Sequence, residues 1–384
     1  PARGRAVGTW SGLTSAVSAL APVAAGWLTE RISWRAVFVI NLPLAAAVLA
    51  IALLRMRHDG GAEEHHALDL PGAALAILAL GGLVFGLIEG PVRGWGAAPV
   101  LLALAGGVLF LALFLLRERR ARAPMVPLGL FRSPTFSGVN LLTFLLYGGL
   151  YTVSFYLPFN LIQVQGYTPT AAGAALLPMV VLLIVMSRWA GGLAERIGPR
   201  PLLTLGPILA GIGMALFAAP GIGGTYWTTY FPAAVLFGLG MGLTVAPLTS
   251  TVLGSVSRQH TGVASGVNNT ASRVGGLVVI AALGIVLTQT FAARLDARLA
   301  ALDVPAEAKE AVASQWRDLA AARPPEDASE ADRAALEGAI ARSYIDGFRP
   351  TMLISGGLAL VGALAAWVLI GRERADPGSQ EGNG

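Results

Sequence analysis

Apolar runs about twenty residues long recur along this chain, and that pattern restricts the fold more than any single motif. About twenty apolar residues in a helix cross the roughly 30 Å hydrocarbon layer of a bilayer. The runs fall at about 6–28, 35–56, 70–89, 98–116, 136–160, 169–190, 201–220, 230–254, 261–289 and 349–371. A backbone in lipid must satisfy its own hydrogen bonds, so runs of this length predict helices. Of 384 residues, 55% are hydrophobic and only 13% charged, against roughly a quarter charged in soluble domains. The expected fold class is an all-α polytopic membrane protein with ten transmembrane helices.

Arginine placement orients the ten spans. Ten is even, so both ends share a side. With the amino end cytoplasmic, the inner segments hold Arg3, Arg5, Arg55, Arg57, Arg117, Arg119, Arg120, Arg122, Arg132, Arg196, Arg200, Arg258, Arg372 and Arg374. The short outer loops hold only Arg31, Arg35 and Arg93. Such asymmetry marks the cytoplasmic side, so the reading is a plasma (inner) membrane protein with both ends cytoplasmic. Long loops cross largely regardless of charge, so 290–348 does not vote; its mixed charge and alanine content predict amphipathic helices outside the membrane. The net charge of +5 then has a topological origin, and no nucleic-acid partner is expected. With no cysteine, disulfides and thiolate metal sites are excluded. No cofactor or metal is expected; His58, His65 and His66, beside Asp59, Glu63 and Glu64, read as a solvated loop.

Two octads stand out. "AGWLTERI" at 25–32 and "AGGLAERI" at 190–197 share six letters. On the predicted topology one ends a span running outward and the other a span running inward, so they lie on opposite faces. They share local chemistry, small residues followed by charges at headgroup level, and cannot share a task.

The second octad extends to "GGLAERIGPRPLL", 191–203. Glycine ends one helix, an acid stands near the start of the next, and arginines can bridge to neighbouring helices. This segment resembles the cytoplasmic-loop signature of the major facilitator superfamily, through Gly191, Leu193, Ala194, Arg196, Gly198, Arg200 and Leu203. Glu195 stands where that family usually has aspartate. The first octad extends forward to "ERISWRAVFVINLP", where Trp34, Arg35, Phe38, Asn41 and Pro43 resemble a segment of the fourteen-helix drug:proton antiporter branch. Backward, "ALAPVAAG" resembles the branch's antiporter motif, with Ala21 and Ala25 replacing two glycines around Pro22 and Gly26. Glycine with proline bends a helix and admits a close neighbour, which suits a hinge or a proton-tight seal. "LIEGPVRGWG" (87–96) and "GVNNTASRVGG" (266–276) also look like this branch.

The resemblance implies a layout. Residues 1–56 match the last two spans of an amino-terminal bundle, 57–122 two linker helices, 123–371 a complete six-helix carboxy-terminal bundle, and 372–384 a disordered cytoplasmic tail. "PARGRAVGTW" looks like a loop entering a helix, so an amino-terminal portion is expected beyond Pro1. In the family, the four helices it would hold carry a membrane-embedded acid and an arginine tied to proton coupling.

Candidate site residues follow from polarity inside apolar runs. Asn268, Asn269 and Arg273 sit near the inner end of a span, and Arg273 and Arg188 are the cations assigned within spans. A charge there is expensive, so it faces the bundle or snorkels. Asn140, Tyr147, Tyr151 and Phe155, with Asn160, recur every three or four residues around Gly148 and Gly149. An aromatic face with few polar groups suits a lipophilic ligand, although such spacing also serves packing and interfacial belts. Asn140, Tyr147, Tyr151, Phe155, Asn268, Asn269 and Arg273 are the substrate-path candidates. Pro22, Gly26, Arg35, Asn41, Gly191, Glu195, Arg196, Gly198 and Arg200 are the gating candidates. Glu89 is a proton-site candidate, against its position at a span end.

The function implied by the resemblance is secondary transport: efflux of small lipophilic compounds, often cationic, against inward proton flow, with the bilayer, the substrate and protons as partners. No ATP-binding glycine loop occurs, which disfavours a primary pump. A membrane-embedded transferase and a non-transporting binding or sensing protein remain as alternatives.

Overall fold

The computed structural model describes residues 20–55, 69–121 and 124–371. Among these, nine helical segments are long and apolar enough to cross a membrane. The run at 6–28 lies mostly outside the described residues, as do the histidine cluster and the 372–384 tail; what is described of that run is helix α1, 20–31.

The elements that follow α1 are the short α2 (Ala36–Val39), then α3 (Asn41–Arg55), α4 (Leu70–Arg93) and α5 (Ala98–Arg120). Next come α6 (Pro134–Gln163), α7 (Pro169–Ala174), α8 (Leu177–Ile197), α9 (Pro199–Leu216), α10 (Tyr226–Thr229) and α11 (Phe231–Gly254). The chain closes with α12 (Thr261–Ala301), α13 (Ala306–Ser314) and α14 (Glu330–Leu369). The sequence writes many of the starts. Asp69 accepts from Gly72 N, Ser133 from Phe136 N, Thr168 from Ala171 N and Ser329 from Asp332 N. Each satisfies an N–H group that an isolated helix leaves open. Gly198, at φ +84°, makes the sharp break between α8 and α9, a conformation costly for any residue with a Cβ.

Six helices pack in an arc ordered α8, α11, α9, α14, α6, α12, with α12 also touching α14. Small residues permit this, since lipid gives helices no hydrophobic reason to associate. At the α9–α11 crossing, a Cβ on Gly240 would lie 2.2 Å from Ala210 N, and one on Gly206 would lie 2.8 Å from Gly240 O. Hydroxyls inside the bundle bond back along their own helices, as from Thr244 to Gly240 O and from Ser355 to Thr351 O. Helices α4 and α5 pair with each other, and α4 touches α12. Arg117 donates from Nε and Nη2 to Asp69 Oδ1 at 2.9 and 2.7 Å, tying the ends of that pair together.

The segment 290–348 is largely helical. α12 continues to Ala301 and α14 begins at Glu330, so both spans extend into it, with the short α13 between them. Phe291, Leu295, Leu299, Leu336 and Ile340 share one buried core with the bundle. Arg298 bonds Ser343 Oγ at 3.0 Å and Asp346 Oδ2 at 2.8 Å. Packing against each other supplies what the polar composition hides. This cap defines one end of the molecule; Arg119, Arg120, Arg132, Arg196 and Arg258, all exposed, define the other.

Candidate functional site

At the cap end, α1 meets α7 at backbone distance. A Cβ on Gly26 would lie 2.4 Å from Pro169 O, and one on Gly173 would lie 2.4 Å from Pro22 O. The contact is reciprocal: each helix offers its glycine to the other's backbone. Glu30, one turn beyond Gly26, accepts from Thr170 N at 3.3 Å and from Thr170 Oγ1 at 2.6 Å. These bonds hold the Glu30 carboxyl below the ordinary glutamate range, the Thr170 hydroxyl contributing most. Pro22 and Gly26 of the gating candidates thus sit in a close helix–helix contact. The "LTER" spelling gave no sign that its acid would bridge two helices.

The remaining gating candidates lie apart from that contact. Arg35 is exposed and stacks over Trp34, its carbon 4.6 Å from the ring centre. Asn41 donates to Val37 O and Phe38 O at 3.1 and 3.3 Å, closing the turn from α2 into α3. Gly191 would bring a Cβ no nearer than 3.9 Å to Ala246. Glu195 and Arg196 are exposed, and among the described residues no ion pair joins either to another helix. Arg200 does bridge, by stacking 4.3 Å over the Trp367 ring of α14. Only these two octads' third dimension separates them: Glu30 is engaged across helices, Glu195 is not.

Among the substrate-path candidates, the structure brings Asn140 and Asn268 together. Asn268 Nδ2 donates to Asn140 Oδ1 at 3.2 Å and to Thr143 Oγ1 at 2.7 Å, joining α12 to α6. Asn140, only 6% exposed, donates in turn to Phe136 O at 2.8 Å. Two turns on along α12, Gly275 would press a Cβ to within 2.4 Å of Phe144 O. This polar clamp lies beside a tight crossing, so it fixes how the two helices meet. Asn269 and Arg273 occupy the neighbouring, exposed face of α12, where Asn269 donates to Ser265 O.

The aromatic stripe divides as well. Tyr147 is half-buried against the core. Tyr151 is 37% exposed and lies over Gly276, whose Cβ would meet its ring at 2.4 Å. Phe155, 61% exposed, meets Tyr156 edge-on at 5.0 Å. Tyr151 and Phe155 therefore keep exposed ring surface, and Tyr147 less of it. Glu89 pairs with Arg93 one turn along α4, the arrangement of an interfacial i,i+4 ion pair. Asn160, on the same stripe, is fully buried at the cap end of α6, where Tyr230 donates to its Oδ1 at 3.1 Å.

Comparison with known proteins agrees with this architecture. Residues 1–280 match the Major Facilitator Superfamily model. The tetracenomycin C resistance and export protein of Streptomyces glaucescens is 32% identical over 371 residues, 94% of this chain and 67% of that protein. The methylenomycin A resistance protein of Streptomyces coelicolor is 34% identical, covering 75% of this chain and 60% of the relative. The multidrug resistance protein Stp of Mycobacterium tuberculosis is 31% identical over 77% of this chain and 55% of its own length. The chain thus spans a little over half to two thirds of these relatives. The family is one of transporters and not of enzymes. An all-α, multi-pass membrane protein with these matches belongs to the Major Facilitator Superfamily.

Proposed function

We propose that the chain serves a secondary transporter that exports small lipophilic compounds across the plasma membrane in exchange for protons. On this reading the arginine-rich end and both termini face the cytoplasm, and the cap faces outward. The observation that carries it is the reciprocal Gly26–Pro169 and Gly173–Pro22 contact at the cap end. Helices α8 and α12, at the two ends of the packing arc, keep exposed polar faces nearer the arginine-rich end, with Arg188 on one and Asn269 and Arg273 on the other. A seal at one end with open faces toward the other is what a rocking carrier presents in one of its two states. The relatives' names, which speak of tetracenomycin C, methylenomycin A and multidrug resistance, support export and small-molecule cargo.

The test is dye movement in everted vesicles from a host stripped of its own exporters. Expressing the protein should give ethidium uptake into the vesicles that needs an imposed proton gradient and stops on adding an uncoupler. Uptake indifferent to the uncoupler removes proton coupling, and no uptake with any of several dyes favours a binding protein instead.

A further inference from the structure

Arginines gather at the cap end too, where α12 and α14 rise out of their apolar runs side by side. Arg294 and Arg298, one turn apart on α12, both approach Asp346 Oδ2 on α14, at 3.8 and 2.8 Å. Arg349, one turn beyond Asp346, is exposed and shares that face of α14. Arg298 is fully engaged, since it also donates to Oγ of the buried Ser343. Arg294 is not: 3.8 Å exceeds hydrogen-bond reach, and its side chain is 64% exposed. Among the described residues no ion pair engages Arg349. The acids nearest in sequence, Asp296 and Glu337, are exposed and lie about half a turn round their helices from Arg294 and Asp346. Three guanidinium groups thus meet one carboxylate, and the mouth of the α12–α14 groove stays positive.

This cluster stands at the membrane boundary. The apolar run of α12 ends near 289 and that of α14 begins near 349. Arg294 is therefore about 8 Å beyond one run at 1.5 Å per residue, and Arg349 sits at the start of the other. Below Arg349 the same stripe of α14 turns apolar and stays open, with Leu353 54% and Leu360 44% exposed. From Arg349 to Leu360 the helix rises about 16 Å, close to half of the roughly 30 Å hydrocarbon layer and so the depth of one acyl chain. Helix α14 packs against α9, α6 and α12, while α1 meets α7 and α4 meets α12. The described amino-terminal helices leave the stripe uncovered.

We propose that this groove holds an anionic phospholipid, its phosphate paired with Arg294 and Arg349 and one acyl chain laid along Leu353 and Leu360. Arginine's permanent charge and planar donors suit a phosphate, and basic pockets between membrane helices recruit lipids of this kind. A phosphate free in solution would use the arginines and have no use for the leucine stripe beneath them.

The chain has no native cysteine, so Gly357→Cys puts a single bimane label beside the leucine stripe, two turns below Arg349, where a Cβ meets nothing within 4 Å. Quenching of that label by lipids carrying a nitroxide on the acyl chain, with the purified protein in nanodiscs, reads which lipid lies there. Labelled phosphatidylglycerol, as a minor component in phosphatidylcholine, should occupy the site about tenfold above its bulk share. Arg349→Gln and Arg294→Gln should each lower that preference about fivefold, the contribution of one arginine beside anionic headgroups, and Arg349→Lys should keep most of it. In nanodiscs of phosphatidylcholine alone, labelled phosphatidylcholine should quench every variant alike, which shows that each is folded and inserted. Equal occupancy by the two lipids in the unaltered protein, or a preference that ignores both glutamine variants, overturns the proposal. So does a preference abolished by inorganic phosphate at matched ionic strength, because a free anion then fills the site. If neither lipid quenches the label, protein covers the stripe and the proposal falls. The readout is lipid contact and not transport, so the transport reading stands apart from every one of these outcomes.

Discussion

Replacing Gly26 with valine should pry open the contact between α1 and α7. The new Cβ would sit 2.4 Å from Pro169 O, 2.7 Å from Pro169 C and 2.9 Å from Thr170 Cα. All three are backbone atoms, so no side chain can swing aside. Ordinary contact begins near 3.4 Å, and the helices must therefore part by about 1 Å, enough to forfeit a quarter to a half of the local dispersion attraction. Overpacking of this kind costs about 1–3 kcal/mol. At about 1.4 kcal/mol per factor of ten, the sealed arrangement loses roughly 5- to 150-fold in population relative to an open one. The absence of native cysteine makes the assay clean: a single Val23→Cys, on the strip of α1 that faces Gly173, reports by its rate of labelling with a membrane-impermeant maleimide. Gly26→Val should raise that rate about tenfold or more, while Gly192→Ala, which meets nothing within 4 Å, should leave it alone. A labelling rate unchanged by Gly26→Val would refute the seal as described.

Three other outcomes can be checked on the same material. Because the Glu30 carboxyl is held below its ordinary value of 4.5, its ionised form stabilises the seal above that pH, and the contribution is lost as pH falls through the lowered value; the Val23→Cys labelling rate, divided by that of a free thiol at the same pH so that thiol ionisation cancels, should be flat from pH 6 to 8 and rise only in acid below about 4.5, and Glu30→Ala should raise that ratio from pH 6 to 8. Asn268→Leu leaves the buried Asn140 Oδ1 without its donor, and thermal unfolding in detergent should show a loss of about 1 kcal/mol, near the middle of values for such bonds between membrane helices; no shift would remove the clamp. Gly240→Ala pushes a Cβ to 2.2 Å from Ala210 N and should destabilise by about 1–3 kcal/mol, whereas Gly357→Ala in α14, with nothing within 4 Å, should be neutral or gain up to about 1 kcal/mol. Equal effects of these two would contradict the packing.

The spans of this protein were legible residue by residue because lipid leaves a backbone so few options. A run such as 98–116 has to close its own hydrogen bonds, and the structure places a helix at Ala98–Arg120. Caps were written locally too, since Asp69, Ser133 and Thr168 act within three residues of themselves. What the sequence could not say was which side of each helix meets which neighbour. In water the apolar stripe of a helix marks its buried face, but in a bilayer the lipid-facing side is apolar as well, and the signal disappears. Asn140 and Asn268 were each visible as polar residues in apolar runs; that they bond one another across 128 positions depends on how α6 crosses α12. Glu30 read as a headgroup-level charge, and only the approach of α7, 140 residues away, makes it a bridge between helices. For the helices beyond the spans, at 290–301 and 330–348, composition pointed to helix but not to continuity with the spans: it is burial of Leu295, Leu299, Leu336 and Ile340 against one another and the bundle core that continues α12 and α14 past the ends of their apolar runs.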